Sequence, residues 1–271
     1  MIQWPEGKRI AVSVAFDVDL ELQWAEGNRN DPEHIVYMSK GTYGAKQGIP
    51  RLLNMLDKQG VKATFFTPGY NAEVYPEVIK EIYNRGHELA FHGYHHYPLR
   101  GTTYEDENEM MAISEKIFLD LVGYQLIGHR PCGGDFHDFT IKLLLDRGYK
   151  YMSYRGDKDA PYICELDGKK VPLVELASDL FYDNTVYDLY TNTPNLVSCR
   201  AQLEIWKDEF DAMAAEGGKA IDLVMHPQST GRASRVNMLG EFISYIKERG
   251  AWITTNAEIA DWVLMQNGFE V

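Results

Sequence analysis

Short runs of β-branched and aromatic residues alternate along the chain with longer segments whose apolar residues repeat at a helical period. The strand-like runs are 9–16, 61–66, 87–92, 126–129, 150–154, 173–176, 220–226 and 252–255. The helix-like segments are 45–59, 72–85, 105–122, 137–147, 200–216, 235–249 and 256–266. Gly60, Gly86, Gly148 and Gly250 each end a helix-like segment just before a strand, where a helix C-terminus favours glycine. The alternation predicts an α/β fold with a parallel sheet, and seven or eight repeats favour a closed barrel.

No internal repeat, low-complexity segment or linker divides the chain, so one domain over residues 1–271 is expected. The segment 156–200 is rich in turn-forming residues and is predicted to be an elaborated loop region.

The net charge of the chain argues against two classes of binding partner. Forty acidic and 27 basic residues give a formal net charge of −13. Nucleic acid and anionic membrane surfaces attract basic faces, so neither is expected as a partner. The three cysteines are widely spaced, the N-terminus has no signal-peptide pattern and no run is long enough to span a bilayer, which together predict a cytoplasmic protein.

Polar residues follow several of the predicted strands. In a parallel barrel the active site lies at the carboxyl ends of the strands, so these residues are the first candidates for chemistry. They are Asp17, Asp19, His92, His96, His129, Arg130, Asp179, Asp183 and His226.

His92 and His96 are spaced so that both rings can face one point from a helical turn or a tight loop. Two histidines and one carboxylate leave a divalent cation with open positions, as in catalytic zinc sites. The alternative is a chance cluster at an exposed strand end. His87-Glu88 opens like the HExxH zinc-protease motif, but Phe91 occupies the second histidine position, so His87 is predicted to be structural.

Asp17 and Asp19 flank Val18 after an apolar run, so in extended backbone both carboxylates share one face. One can bind a metal while the other acts as general base; the alternative is a solvated strand end. His226 ends another apolar run and precedes a proline that keeps it extended, which suits a general acid, although a core histidine is the alternative. The chain has no GxSxG elbow, Walker loop or dinucleotide fingerprint. A nucleophilic role for Cys132 is not favoured, since a metal and a base already supply the attacking water.

These residues, in this order, resemble the polysaccharide deacetylase family (NodB-type, carbohydrate esterase family 4). The resemblance runs from WPEGKRIAVSVAFDVDLE to LVMHPQSTGR and is most specific in VKATFFTPGYNAEVYPEVIKEIYNRGHELAFHGYHH. The nearest branch contains cytoplasmic peptidoglycan-deacetylase-like proteins, cyclic imidases and metal-independent allantoinases. The family fold is a distorted (β/α)7 TIM-like barrel, and members of this branch tend to form homotetramers.

The resemblance implies a role for each matched position. Asp17 corresponds to the catalytic base, which Arg130 holds, and His226 to the late catalytic histidine. Asp19, His92 and His96 correspond to the ligands of a divalent metal, with zinc favoured and iron or cobalt possible. Asp183 corresponds to the acidic residue of the preceding motif, and His129 is expected to bind substrate or to support the site.

Three positions depart from the family pattern: Val18 separates the two aspartates, Cys132 stands where proline is usual, and Leu180 stands where this branch often has tryptophan. The expected function is a metal-dependent hydrolase of non-peptide C–N bonds, acting on an N-acetyl sugar or a small amide or imide. The lack of a signal-peptide pattern favours the small amide or imide over an extracellular polymer. The alternatives are a metal-independent ureide hydrolase using the same pocket and a non-catalytic sugar- or amide-binding relative.

Overall fold

A computed structural model describes residues 1–25, 35–97, 99–134, 136–177 and 197–271. Its nine strands are β1 (Ile10–Asp17), β2 (Thr64–Thr67), β3 (Glu88–Phe91), β4 (Gly128–His129), β5 (Tyr151–Met152), β6 (Tyr162–Leu166), β7 (Lys169–Glu175), β8 (Lys219–Met225) and β9 (Trp252–Thr254). They form one sheet in the order β6-β7-β5-β4-β3-β2-β1-β8, with β9 also paired to β1.

The helices lie between the strands. They are α1 (Leu22–Ala25), α2 (Ile35–Tyr43), α3 (Ile49–Gln59), α4 (Gly69–Val74), α5 (Pro76–Asn84), α6 (Tyr104–Val122), α7 (Asp138–Asp146), α8 (Cys199–Glu216), α9 (Pro227–Thr230), α10 (Ala233–Glu248) and α11 (Asn256–Gln266). A π-helical segment, Gly44–Gly48, joins α2 to α3. Among the described residues, no helix has the length and apolar character that a membrane crossing requires.

All strand pairs are parallel except β6 with β7. Strand β1 pairs with three other strands: β8 pairs with Ile10–Phe16, β9 with Ala11–Ser13 and β2 with Ala15–Asp17. The sheet curls so that the Ala220 N–H of β8 donates to the Asp159 carbonyl before β6, at 3.0 Å. The distorted α/β barrel is thereby confirmed, although no strand ladder joins β8 to β6 within the described ranges.

Alternate residues of each strand face the helices or the interior of the curled sheet. On β1, Ile10, Val12, Val14 and Phe16 pack in the cluster beneath the helices. The intervening positions carry small or polar side chains that face the interior: Ala11, Ser13, Ala15 and Asp17. The same alternation on the other strands determines which polar side chains meet inside the sheet.

The segment 156–200 differs from the prediction. Its first part is an antiparallel hairpin of β6 and β7, closed by Asp167 and Gly168, both with positive φ. Asp-Gly is a strong signal for a two-residue hairpin turn. The single long helix expected over 72–85 is instead two helices, since Pro76 begins α5 immediately after α4 ends.

Candidate active site

Six buried polar residues meet at the carboxyl end of the sheet: Asp17, Asp19, His92, His96, Arg130 and His226. They follow or end β1, β3, β4 and β8, which lie close together in the strand order β4-β3-β2-β1-β8. The structure therefore brings together the six residues to which the sequence assigned catalytic and metal-binding roles.

Asp19 lies at the centre of this group and is fully buried. Its Oδ1 is 3.3 Å from His92 Nε2, and its Oδ2 is 3.5 Å from His96 Nε2 and 3.3 Å from His226 Nε2. Burial alone would raise the pKa of Asp19, but the imidazoles of His96, His226 and His92 outweigh it and hold that pKa well below its usual range. Asp19 is thus kept as a carboxylate, the form that binds a cation.

The ring of His92 is oriented by the backbone. Its Nδ1 lies 2.7 Å from the carbonyl oxygen of Arg130. Because a carbonyl only accepts, Nδ1 carries a proton, and Nε2 is the ring nitrogen that faces Asp19. Metal-binding histidines in proteins are commonly oriented in this way.

The residues present fit a divalent cation. Both carboxylate oxygens of Asp19 are buried and accept no hydrogen bond from the described part of the chain. In a tetrahedral site with bonds of about 2.0–2.2 Å, neighbouring ligand atoms lie about 3.3–3.6 Å apart, which matches the 3.3 and 3.5 Å separations of Asp19 from His92 and His96. One carboxylate and two imidazoles suit zinc and also iron or cobalt.

His92 and His96 are connected by a tight turn rather than a helix. Gly93 has φ +77°, and a Cβ there would lie 2.8 Å from the His95 carbonyl oxygen and 3.0 Å from Cys132 Sγ. Only glycine fits that backbone conformation without strain. Gly93 therefore allows the chain to reverse so that both rings face Asp19.

Arg130 holds the second aspartate. Its Nη1 donates to Asp17 Oδ1 at 2.6 Å, and its guanidinium lies over the Phe66 ring, 3.9 Å from the centroid. The other oxygen, Asp17 Oδ2, faces the histidines at 3.9 Å from His92 Nε2. Asp17 thus has one oxygen engaged and one directed into the site.

Comparison with known proteins agrees with this geometry. The polysaccharide deacetylase family model matches residues 31–152. A crystal structure of a candidate polysaccharide deacetylase from Mycobacterium smegmatis is 32% identical, with a TM-score of 0.90 over 98% of this chain and 94% of that one. This chain belongs to the polysaccharide deacetylase family.

Two further relatives of this family member cover nearly its whole length. The peptidoglycan deacetylase of Helicobacter pylori is 29% identical over 96% of this chain and 98% of its own. The PuuE allantoinase has a TM-score of 0.87 over 99% of this chain and 94% of that one, at 22% identity. The second likeness is one of fold.

Two residues that position the site were not among the residues predicted from the sequence. The Asn71 amide on α4 donates to the carbonyls of Val18 and Asp19, at 2.6 and 2.9 Å, and fixes the backbone that carries Asp19. Asp222, in the middle of β8, accepts from Arg130 Nη2 at 2.6 Å. A signal for Asp222 was present, because a charged residue inside an apolar strand needs a buried partner.

Cys132 lies beside the histidine pair. Its Sγ and a ring nitrogen of His92 and of His96 all lie within 4.8 Å of one another, which makes these three a possible metal-binding group. The thiol also donates to the His92 carbonyl at 2.7 Å, so it supports the turn that carries both histidines. Within the part of the chain that the structure describes, none of the three cysteines forms a disulfide bond.

The remaining predicted residues lie elsewhere. His129 points away from Arg130 and stacks on Phe91 beneath the helices, where burial lowers its pKa to about 3. His87 is structural, as predicted, and its Nδ1 accepts from the Ala63 N–H at 3.2 Å. Asp179, Asp183 and Leu180 lie outside the described residues.

Proposed function

We propose that this protein is a metal-dependent deacetylase that hydrolyses the amide C–N bond of an N-acetylated sugar. The observation that carries the proposal is the buried Asp19 carboxylate, which three imidazoles surround at 3.3–3.5 Å. Neither of its oxygens accepts a normal hydrogen bond from the residues that the structure describes. Such an arrangement is costly without a cation, because buried polar atoms are otherwise paired.

Asp19, His92 and His96 would hold the cation. A divalent ion at this position supplies a Lewis acid that polarises the amide carbonyl and lowers the pKa of water from 15.7 toward about 7. His92 is suited to this task because the Arg130 carbonyl fixes its tautomer.

Asp17 would act as the general base. Arg130 engages Oδ1, so Oδ2 is the atom free to take a proton from the attacking water. Burial of the carboxylate keeps bulk water from competing for that proton.

His226 would act as the general acid. It approaches Asp19 from β8, on the side of the site opposite β3, and its Nε2 is the nitrogen that faces the cluster. Protonation of the departing nitrogen by this ring avoids release of an amide anion, a very poor leaving group. Loss of His226 alone should lower kcat by about 10²–10⁴-fold.

The names of relatives support the substrate class. The H. pylori protein that matches almost end to end is a peptidoglycan deacetylase, whose name specifies an acylated sugar polymer. Small amides and cyclic imides remain the competing substrates. The cytoplasmic location and the homotetramer stay predictions.

The proposal is tested by acetate release from N-acetylglucosamine oligomers, alongside hydrolysis of imides and hydantoins. The protein is stripped with chelator and then reloaded with one equivalent of zinc, cobalt or iron. We expect acetate release only after reloading, and its loss in Asp17→Asn but not in Asp120→Asn, an exposed aspartate on α6. Turnover of imides alone, or activity that survives metal removal, would contradict the proposal.

His226 needs a separate measurement, because it lies as close to Asp19 as the two proposed ligands do. An acid is required for turnover but not for metal binding. His226→Gln should therefore lose activity and retain one equivalent of metal, whereas His92→Gln should lose both. Loss of the metal from His226→Gln would make this residue a ligand instead.

A further inference from the structure

Asp222 is a buried carboxylate inside the curled sheet, four residues before His226 on β8. Four groups donate to it. Oδ2 accepts from Arg130 Nη2 at 2.6 Å, from Ser153 Oγ at 2.5 Å and from Asn256 Nδ2 at 2.9 Å. Oδ1 accepts from Ser13 Oγ at 2.9 Å. This satisfies the acceptor capacity of the carboxylate, which is required of a charged group in a protein interior.

The Arg130 guanidinium is shared between two carboxylates. Nη1 binds Asp17 and Nη2 binds Asp222, both at 2.6 Å, and Ser153 Oγ accepts from Nη2 at 3.0 Å. With one carboxylate at each end and the Phe66 ring against its face, the guanidinium plane has a single orientation.

We propose that Asp222 is a positioning residue, which locks Arg130 in the orientation that engages Asp17 Oδ1 and leaves Oδ2 free. The consequence for catalysis rests on the proposed function, in which Oδ2 takes the proton. A misplacement of about 1 Å in such a group can cost about 10²-fold in rate.

Asp222 is itself anchored from three directions. Ser13 lies on β1, Ser153 directly follows β5, and Asn256 begins α11. The Asn256 backbone N–H donates to Thr64 Oγ1 at 3.0 Å, and Thr64 donates to the buried Glu88 at 2.7 Å. The orientation of Arg130 is thus set, through Asp222, by residues in the interior of the curled sheet.

An asparagine at position 222 keeps the shape and removes the charge. The carboxylate of Asp222 has two acceptor oxygens, whereas asparagine has one oxygen and an amide nitrogen that only donates. The variant therefore keeps one acceptor atom and loses the negative charge that pairs with Arg130. Glu175→Gln is the matched control: this carboxylate on β7 is also fully buried, but it accepts from the backbone of Tyr154 and Arg155 and does not contact Arg130.

The first readout does not depend on activity. With ¹⁵N-labelled arginine, restricted rotation gives separate Nη1 and Nη2 resonances for a locked guanidinium. We expect resolved signals for Arg130 in the wild type and in Glu175→Gln, assigned by their loss in Arg130→Lys, and merged signals in Asp222→Asn. Resolved signals in Asp222→Asn would overturn the proposal.

The second readout is kinetic. Asp222→Asn should lower kcat by about 10²-fold, with KM and bound metal nearly unchanged. In the Arg130→Lys background, where one ammonium cannot bridge both carboxylates, the same substitution should cost little more. An equal fold-loss in both backgrounds would show a structural role and overturn the proposal.

If Asp222→Asn does not fold, Ser153→Ala removes the hydroxyl between Asp222 and Arg130 and is judged by the same two readouts. The two proposals fail separately. Locked Arg130 signals that merge in the variant, with no metal-dependent turnover in the wild type, would preserve the positioning role and reject the deacetylase. Metal-dependent turnover that Asp222→Asn leaves unchanged would preserve the deacetylase and reject the positioning role.

Discussion

Asp19 and Asp17 are two residues apart, yet their surroundings give them different chemistry. Three imidazoles surround Asp19, whereas Asp17 is paired with a guanidinium. Both side chains point into the interior at the end of β1, and Asn71 fixes the backbone by donating to the Val18 and Asp19 carbonyls. The division of labour between a metal ligand and a base follows from these contacts.

The turn after β3 gives the first prediction. Gly93→Ala should weaken metal binding by at least about tenfold, because a Cβ would collide with the His95 carbonyl and Cys132 Sγ in a left-handed backbone conformation. Metal affinity is measured by competition with a chromophoric chelator.

Gly101→Ala is the control for this substitution. Gly101 has φ +86°, and a Cβ at this position would have no other atom within 4 Å, so the variant suffers the same backbone strain without the collision. Equal metal affinities in the two variants would show that the geometry of the turn does not set the site.

At the scale of elements, the periodicity located the strands and helices that carry the site. The observed elements differ from the predicted ones at two places. Pro76 divides one predicted helix into two, and the Asp167-Gly168 turn forms a hairpin within a predicted loop. Strand β6 was missed because the abundance of turn residues around it outweighed five residues of strand pattern. Helix α2, which contributes no predicted site residue, was also absent from the prediction.

Helix α6 gives a prediction for an element. Thr103 caps its first turn: its side chain accepts from the Asp106 N–H at 3.1 Å, and Asp106 accepts from the Thr103 N–H at 3.0 Å. Thr103→Ala should lower the free energy of unfolding by about 1 kcal/mol, because the N–H of Asp106 loses its partner.

Thr103→Ser retains the hydroxyl and should stay close to the wild type. Urea denaturation of both variants measures the difference. If the alanine and serine variants were equally stable, the cap would contribute nothing.

At the scale of the whole molecule, the curled sheet encloses a polar interior that extends from Glu88 at the start of β3 to His226 at the end of β8. The six main site residues were predictable because their types and order are specific to the chemistry. Asp222 had a signal only in being a charged residue inside an apolar strand, which does not identify its partner, and Asn71 had none, since a lone asparagine has no spacing to mark it. Their partners lie 92 and 53 residues away, and only the folded sheet brings them together.

The buried His87 makes the stability of the molecule depend on pH. Burial, with a smaller effect from Lys62, lowers its pKa from 6.5 to about 4. Between these values the unfolded chain binds more protons than the folded one, so a falling pH favours unfolding. Because one proton is taken up, the loss should be at most about 1.4 kcal/mol per pH unit. The neutral ring is favoured in the folded protein because Nδ1 accepts from the Ala63 N–H.

His87→Asn places an acceptor oxygen near the Nδ1 position and cannot take up a proton. The difference in unfolding free energy between wild type and variant, measured by urea denaturation from pH 7 to pH 4.5, should shift in favour of the variant as the pH falls. A difference that does not change with pH would show that His87 does not titrate in this range.

The central claim is that Asp19, His92 and His96 hold a catalytic divalent cation. Its most direct test is metal content and acetate release measured on the same samples of wild type and Asp19→Asn. We predict one tightly held equivalent of metal and metal-dependent turnover in the wild type, and neither in the variant. A wild-type protein that turns over N-acetylated sugar with less than about a tenth of an equivalent of metal would contradict the claim.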